Sequence, residues 1–276
     1  MPSRQREILL SQPKITTTIT KVDGGQREST DDVLAVEEPC EIRLADESIA
    51  VTMRTPGNDA ELAAGFLYTE GIVGADDIAV ITHCADDGAL APENVIEVRL
   101  APGRGARRDV RRNFFASSSC GICGKASIEA IHVGAPPVPA GPTFAAAGLA
   151  EVMGRLRARQ DVFAATGGLH AAAIVDGEGK FVVVREDVGR HNAVDKVIGY
   201  ALLSERLPLA DCVLLISGRS SFEILQKALV ARIPVVAGVS AASSLAVQFA
   251  AESNMTLVGF LRQAKMNVYA GAERIT

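Results

Sequence analysis

The stretch 212–239, CVLLISGRSSFEILQKALVARIPVVAGV, decides the fold class of this chain. Two aliphatic runs, 212–216 and 235–239, predict buried strands, and the amphipathic segment 222–230 between them predicts a helix. A strand, a helix and a second strand in this order form a right-handed crossover, which sets the two strands parallel and the helix on one face of the sheet. The sequence therefore predicts an α/β fold around a largely parallel sheet.

The same alternation continues outward on both sides of this stretch. Upstream, 181–185 predicts a strand and 193–203 a helix; downstream, 245–251 predicts a helix and 257–260 a strand. Helices between parallel strands cover both faces of a sheet. We therefore expect an α/β/α sandwich.

The first half of the chain has a different pattern. Residues 33–57 alternate apolar and polar side chains around turn signals, which is typical of half-buried antiparallel strands. A helix is predicted from Asn58 to Gly71 and a further strand over 94–100. The first thirty residues are polar, and we expect them to fray or to lie on the surface as an edge strand.

Two connecting segments separate these halves. Residues 101–125 contain five arginines, a serine run and a cysteine pair, which predicts a long exposed loop, and the proline-rich segment 134–142 predicts a rigid linker. We therefore predict a small α+β domain of residues 1–110 and an α/β/α domain of residues 111–276.

The composition excludes several classes of function. With 48% hydrophobic residues and a mean hydropathy of +0.20, the 276-residue chain can bury a core, whereas its net charge of −5 gives no general attraction for nucleic acid or anionic lipid. No apolar run reaches the roughly 18 residues of a membrane span, and the N-terminus has no signal-peptide core. We expect a cytoplasmic protein with neither a nucleic-acid partner nor a membrane partner.

The five cysteines do not form the pattern of an extracellular disulfide framework. Their number is odd and, apart from Cys120 and Cys123, they are widely scattered. The CGIC pair could serve as a redox dithiol, as half of a zinc site or as a sulfur-transfer site, and its spacing does not choose among them.

The surroundings of the pair narrow this choice. The other cysteines supply no second close ligand pair, so we predict no metal site, and the deaminase signature is absent because Ser119 precedes Cys120. Sulfur transfer requires a nucleophilic thiolate on an exposed, mobile segment, and Arg111, Arg112 and Lys125 would favour that thiolate. The loop meets each of these requirements.

A second set of polar residues follows the predicted strands. In a parallel sheet the carboxyl ends of the strands meet at a crevice, where backbone amides and helix N-termini bind anions. The Gly-, Ser- and Arg-rich segments at these positions are EDVGRHN (186–192), SGRSS (217–221), GVSAASS (238–244) and GFLRQAK (259–265). Arg190, Arg219, Arg262 and Lys265 could oppose phosphate charge, which predicts a nucleotide or pyrophosphate ligand. The alternative is that these segments are ordinary strand–helix loops.

Individual polar residues near the crevice also allow two interpretations. Asp187 or Asn192 could cap the helix that follows, with His191 a satisfied interior histidine, instead of contributing to a site. His170 could line the crevice or merely stand at the end of a strand.

Six motifs in order make the sequence similar to the FdhD/NarQ family of formate dehydrogenase accessory sulfur carriers. They are TPGNDAELAAGFLYTEGI (55–72), NFFASSSCGICG (113–124), TGGLHAAA (166–173), EDVGRHNAVDK (186–196), SGRSSFEILQKA (217–228) and GFLRQAKMNVY (259–269). The resemblance implies a homodimer with a cytidine-deaminase-like α/β/α domain that lacks deaminase activity.

The resemblance also implies a mechanism. Such a carrier accepts sulfur from a cysteine desulfurase as a persulfide on Cys120. We further expect Cys123 to act as a helper, because its thiolate could attack the persulfide's inner sulfur or accept the outer sulfur in a relay. The carrier delivers that sulfur to the bis-molybdopterin guanine dinucleotide cofactor of molybdenum before the cofactor enters the formate dehydrogenase apoenzyme.

The resemblance assigns cofactor binding to one stretch in particular, and GDP or a related guanine nucleotide should act there as a surrogate ligand. The expected contacts are Phe260, Leu261, Arg262, Gln263, Ala264 and Lys265, with Arg219 and His191 nearby. Lys265 stands where we would expect arginine in many relatives, which keeps the charge but weakens the case for a bidentate phosphate contact.

Two functions of other classes remain open. One is a non-enzymatic chaperone that shelters the cofactor and does not need its cysteines, and the other is an oxidoreductase that uses the CGIC pair as a dithiol.

Overall fold

The computed structural model of the protein describes residues 12–84, 92–107, 114–115, 134–263 and 265–276. The described chain begins with an exposed antiparallel hairpin of β1 (Lys14–Asp23) and β2 (Gln26–Ala35). Gly24 and Gly25 form its two-residue turn, both at positive φ, which is the conformation that glycine supplies. The polar N-terminal region thus contains a paired surface hairpin where we expected frayed chain or a single edge strand.

The next part of the chain forms a five-stranded sheet covered by one helix. Its elements are β3 (Glu38–Leu44), β4 (Glu47–Arg54), α1 (Asp59–Thr69), β5 (Ile78–His83), β6 (Val95–Leu100) and β7 (Phe114–Phe115). The strand order is β5-β6-β3-β4-β7. Ala63 and Leu67 of α1 pack with Ile42 and Ile96 of the sheet, which confirms the predicted helix and the alternating strands.

A six-stranded sheet forms the larger part of the molecule. Its strands are β8 (His170–Val175), β9 (Phe181–Asp187), β10 (Val213–Ile216), β11 (Val235–Gly238), β12 (Thr256–Arg262) and β13 (Lys265–Ala270), in the order β13-β12-β11-β10-β8-β9. The helices are α2 (Ala146–Arg157), α3 (Asp161–Thr166), α4 (Arg190–Leu203), α5 (Phe222–Val230) and α6 (Ser244–Glu252).

The strands and helices form the predicted α/β/α sandwich. Along β10, Leu214 packs with α4, α5 and α6 on one face of the sheet, whereas Leu215 packs with α2 on the other. This alternation follows from the two-residue period of a strand. No helix in the described part of the chain is long and apolar enough to cross a membrane.

The prediction of a largely parallel sheet is wrong for the outer strands. In the six-stranded sheet β10, β11 and β12 are parallel neighbours, whereas β8 with β9, β8 with β10 and β12 with β13 are antiparallel. The connections from β8 to β9 and from β12 to β13 are too short to hold a crossover helix, so each pair folds as a hairpin.

Two glycines bring α1 of the smaller sheet against α4 of the larger one. A Cβ atom added at Gly65 would lie 1.9 Å from the carbonyl oxygen of Asp195, and one added at Gly199 would lie 1.8 Å from that of Glu61. The helix backbones are therefore in direct contact. The division into domains at residue 110 stays a prediction.

This contact leads to a prediction about stability. Gly65→Ala should lower the free energy of unfolding by about 3 kcal/mol, the upper range for forcing atoms into a packed interior. Gly154→Ala in α2 is the matched control, because nothing lies within 4 Å of the added Cβ. That control should gain about 0.5–1 kcal/mol from helix propensity. Urea unfolding measures both, and equal effects at the two glycines would contradict the proposed close contact.

Candidate functional site

A crevice of about 710 Å³ opens beside the carboxyl ends of the parallel strands. One wall comes from the α2–α3 corner and from the segment that leads into β8, and the other from the ends of β10, β11 and β12. Its lining includes Arg157, Gln160, Phe163, His170, Ser217, Val239, Arg262 and Gln263. The position is the one predicted for a ligand, and the volume suits a nucleotide-sized molecule.

In the loop after β10, the backbone of Gly218 packs closely against the side chains of His170 and Arg190. A Cβ atom added at Gly218 would lie 3.4 Å from Nδ1 of His170 and 3.5 Å from the side chain of Arg190. His170 lines the crevice from the first position of β8, which favours the first of its two interpretations over a residue that merely stands at the end of a strand. Ser217 Oγ accepts a hydrogen bond from the Ala171 amide, which ties this loop to β8.

Positive charge gathers around His170. Burial lowers the pKa of this imidazole, and the nearby Arg190, His191 and Arg219 side chains lower it further, partly opposed by Asp187. Arg190 begins α4, and Arg219 is exposed between β10 and α5. A neutral imidazole among cations is the electrostatic setting of a site that receives an anion.

His191 occupies the protein interior. It is 4% exposed, and its Nε2 atom lies 3.2 Å from Ser221 Oγ and 3.4 Å from a carboxylate oxygen of Glu223. Burial lowers the pKa of His191, partly opposed by the hydrogen bond with Glu223. This side chain joins α4 to α5, as expected of a satisfied interior histidine.

Asp187 organises the start of α4. Its Oδ1 atom accepts hydrogen bonds from the Gly189 amide and from Asn192 Nδ2, and its Oδ2 atom lies 2.7 Å from Lys196 Nζ. It also accepts a hydrogen bond from the amide of Thr55, so it links the two sheets. Gly189 occupies the N-cap position of α4 without a side-chain cap hydrogen bond, so the interpretation of Asp187 or Asn192 as the helix cap is wrong. The Asn192 amide instead donates to Asp187 and to the carbonyl oxygen of Met53.

The stretch 260–265 forms the end of β12 and the start of β13. Leu261 is fully buried in the core, whereas Phe260, Arg262, Gln263 and Lys265 are exposed. Arg262 Nε donates a hydrogen bond of 3.3 Å to the carbonyl oxygen of Val239. Of the six residues expected to bind cofactor, Leu261, Arg262 and Gln263 line the crevice, and Leu261 also packs in the core. Phe260 and Lys265 are exposed and are not part of the crevice lining, and Ala264 lies outside the described residues.

Three of the five cysteines, Cys40, Cys84 and Cys212, lie among the described residues as free thiols. Cys40 and Cys212 are buried, and burial raises the pKa of each thiol to about 12, which makes both poor nucleophiles. Cys84 follows β5 and is half-buried. The predicted catalytic pair, Cys120 and Cys123, lies outside the described residues.

Sequence reasoning did not identify the α2–α3 corner as part of the crevice. Arg157, Gln160 and Phe163 line it, yet residues 157–163 contain neither glycine nor a recognisable motif. Only the folding of this corner over the ends of β8 and β12 brings these side chains to the site.

Comparison with known proteins identifies the relatives of this chain. The FdhD/NarQ family profile matches residues 35–276. A protein of Mycolicibacterium paratuberculosis named sulfur carrier protein FdhD is 54% identical, covering 93% of this chain and 97% of the relative. A protein of the same name from Streptomyces avermitilis is 53% identical over 93% of this chain and 94% of the relative.

A solved structure agrees with this relationship. The crystal structure of a protein of Desulfotalea psychrophila, provisionally assigned as a formate dehydrogenase accessory protein, superposes with a TM-score of 0.78 at 25% identity. The match covers 96% of this chain and all of the other. With a family profile that spans the five- and six-stranded sheets and relatives of more than half identity over nearly the whole length, this chain belongs to the FdhD/NarQ family.

Proposed function

We propose that this protein is a sulfurtransferase that carries persulfide sulfur on Cys120 from a cysteine desulfurase to the molybdenum cofactor. The acceptor is the bis-molybdopterin guanine dinucleotide form, before it enters the formate dehydrogenase apoenzyme. The observation that carries the proposal is the crevice of about 710 Å³ at the strand ends, whose lining includes Arg157, His170 and Arg262. The relatives named sulfur carrier protein FdhD support it.

The cysteine pair supplies the transfer chemistry. A Cys120 thiolate attacks the outer sulfur of the donor's persulfide, and the donor cysteine leaves as a thiolate. Because their pKa values lie near 12, Cys40 and Cys212 carry almost no thiolate at neutral pH. Neither buried thiol therefore suits loading, which leaves the CGIC pair and the half-buried Cys84 as candidates.

The crevice supplies the binding site for the acceptor. A guanine dinucleotide carries pyrophosphate charge, and the Arg190, Arg219 and Arg262 guanidinium groups around the strand ends can oppose it. Arg262 already has one hydrogen bond, to Val239, which orients its guanidinium at the crevice. Phosphate binding would use its remaining donors.

Replacing Arg262 tests the acceptor site. Arg262→Ala should weaken GDP binding by about 1–3 kcal/mol, the usual loss for one charge-assisted hydrogen bond. Isothermal titration calorimetry measures the change. Arg27→Ala is the control, because it also removes one arginine. Arg27 is exposed on the β1–β2 hairpin and does not line the crevice, so its loss should leave the affinity unchanged. Equal affinity for GDP in wild type and Arg262→Ala would remove Arg262 from the site.

We also propose the setting in which the protein works. We expect a cytoplasmic homodimer with a domain division near residue 110, and sedimentation of the full chain tests the dimer. A cofactor chaperone would retain its activity without Cys120, whereas a dithiol oxidoreductase would show a reduction potential coupled to turnover. Persulfide loading of the CGIC peptide separates the sulfur carrier from both.

A further inference from the structure

Gln160 is a buried polar residue whose side-chain amide nitrogen is not satisfied by the described residues. It stands between α2 and α3, is 4% exposed and contributes to the wall of the crevice. Its Nε2 atom is buried without a hydrogen-bond partner among the described residues. A buried amide without a partner destabilises a folded protein, so a glutamine at this place suits a partner that arrives from outside.

A flat surface lies beside this amide. The Arg157 guanidinium is 3.9 Å from the centre of the Phe163 ring, and both side chains line the crevice with Gln160. Aromatic rings and guanidinium planes are the surfaces on which nucleic-acid bases stack. This corner therefore combines a stacking surface with one unsatisfied hydrogen-bond donor.

The anion-binding groups occupy a different part of the site. Arg190 and His170 meet at Gly218, after β10, and Arg219 is the next residue along that loop. A nucleotide has an uncharged flat base at one end and phosphates at the other. The division between the α2–α3 corner and the β10 loop matches these two ends.

We propose that Gln160 recognises the base of the bound guanine nucleotide and thereby determines the base preference of the crevice. This inference rests on the proposed function, which supplies the guanine ligand. Nε2 donates to the O6 carbonyl of guanine, and the Oε1 atom of the same amide accepts from N1–H. Adenine carries an amino group in place of O6 and an unprotonated N1, so the amide in this orientation presents its donor to a donor and its acceptor to an acceptor, and adenine could pair only after the amide rotates by about 180°.

Calorimetry with GDP, IDP and ADP tests this recognition in the full-length protein. Gln160→Leu should weaken GDP and IDP binding by about 10–100-fold and leave ADP binding unchanged, because only the first two carry O6. Gln160→Glu loses the donor to O6 but can accept from N1–H and from the 2-amino group of guanine, so it should weaken IDP, which lacks that amino group, more than GDP. Gln226→Leu is the control, because Gln226 is equally buried but lies in α5 and does not line the crevice.

Thermal unfolding without ligand separates recognition from a structural role. Gln160→Leu should melt at the same temperature as wild type or higher, since an apolar side chain replaces an unsatisfied amide. A GDP preference that persists in Gln160→Leu, equal losses for GDP and ADP, or a lower melting temperature would each overturn the inference while leaving GDP as the ligand. Failure of the wild-type protein to bind any of the three nucleotides would overturn the proposed ligand together with it.

Discussion

Cys120→Ala is expected to abolish activation of formate dehydrogenase while the protein still folds and binds GDP. The carrier mechanism stores the transferred sulfur on one thiol, so its loss leaves no atom to hold the persulfide. Among the described cysteines, Cys40 and Cys212 cannot substitute for it, because burial raises the pKa of both thiols to about 12. We therefore expect complete loss instead of a partial decrease.

Two measurements check this result. Incubation with a cysteine desulfurase and cysteine, followed by intact-mass and peptide analysis, should show one added sulfur atom on the CGIC peptide of wild type and none on Cys120→Ala. Co-expression with formate dehydrogenase in cells that lack their own carrier measures activation. Cys84→Ala is the matched control, since it removes a half-buried thiol outside the motif and should behave as wild type.

Cys123 should behave differently from Cys120. The resemblance to the family places the persulfide on the first cysteine, so Cys123→Ala should still load sulfur and keep part of the activity. Full activation by Cys120→Ala would refute the carrier mechanism, and a persulfide found only on Cys123 would reverse the assignment of the two cysteines.

Lys227→Met is expected to cause a large loss of stability. Lys227 Nζ is buried and lies 2.8 Å from Asp195 Oδ1, 2.9 Å from Thr69 Oγ1 and 3.5 Å from Glu70 Oε1. Methionine keeps the length of the side chain but leaves the carboxylates without their cation. Removing one partner of a buried ion pair typically costs about 3–5 kcal/mol.

Lys180→Met is the control for this substitution. Lys180 forms a short ion pair with Glu178, but both side chains are largely exposed. An exposed pair contributes about 0–1 kcal/mol, and salt weakens it further. Urea unfolding of the two variants should therefore separate them clearly, and similar losses would show that the buried network does not stabilise the fold.

The loss in Lys227→Met should depend on pH in a defined direction. Burial raises the pKa of Asp195, and Lys227 partly offsets this effect, so removing the lysine raises the pKa further. The pKa of an aspartate in an unfolded chain is about 3.9. A carboxyl whose pKa is higher in the folded protein stabilises the fold fully below that value, and this stabilisation is lost as the pH rises through the folded-state pKa. The deficit should therefore be smallest near pH 4 and grow above it. Wild-type Lys227 remains charged throughout this range, because the attraction of Asp195 and Glu70 outweighs burial and raises the pKa of Lys227.

Local sequence patterns predicted most helices and strands of this fold. The helix over 222–230 was predicted with the bounds that the structure has, because its apolar period is clear and turn residues precede it. The direction of the outer strands was not predicted. Strand direction depends on the length of each connection, and the short links after β8 and β12 produce hairpins where the alternation of segments indicated crossovers.

The candidate site was predicted less completely than the fold. The position of the crevice follows from strand order, so Arg262 and Ser217 could be placed there from the sequence. The burial of His191 depends on Ser221 and Glu223 at the start of another helix. The position of Gln160 in the crevice wall depends on the packing of the α2–α3 corner. Such contacts between distant residues leave no local signal in the sequence.

The packing of α1 against later helices has a consequence for synthesis on the ribosome. Helix α1 is translated early, yet it contacts α4 through Gly65, and Thr69 at its end accepts its hydrogen bond from Lys227. Proteins emerge from the ribosome N-terminus first. More than a hundred further residues must therefore be synthesised after α1 before α4 and Lys227 can pack against it. During that interval the nascent chain exposes this face to chaperones, and the smaller sheet reaches its final packing only after Lys227 has emerged.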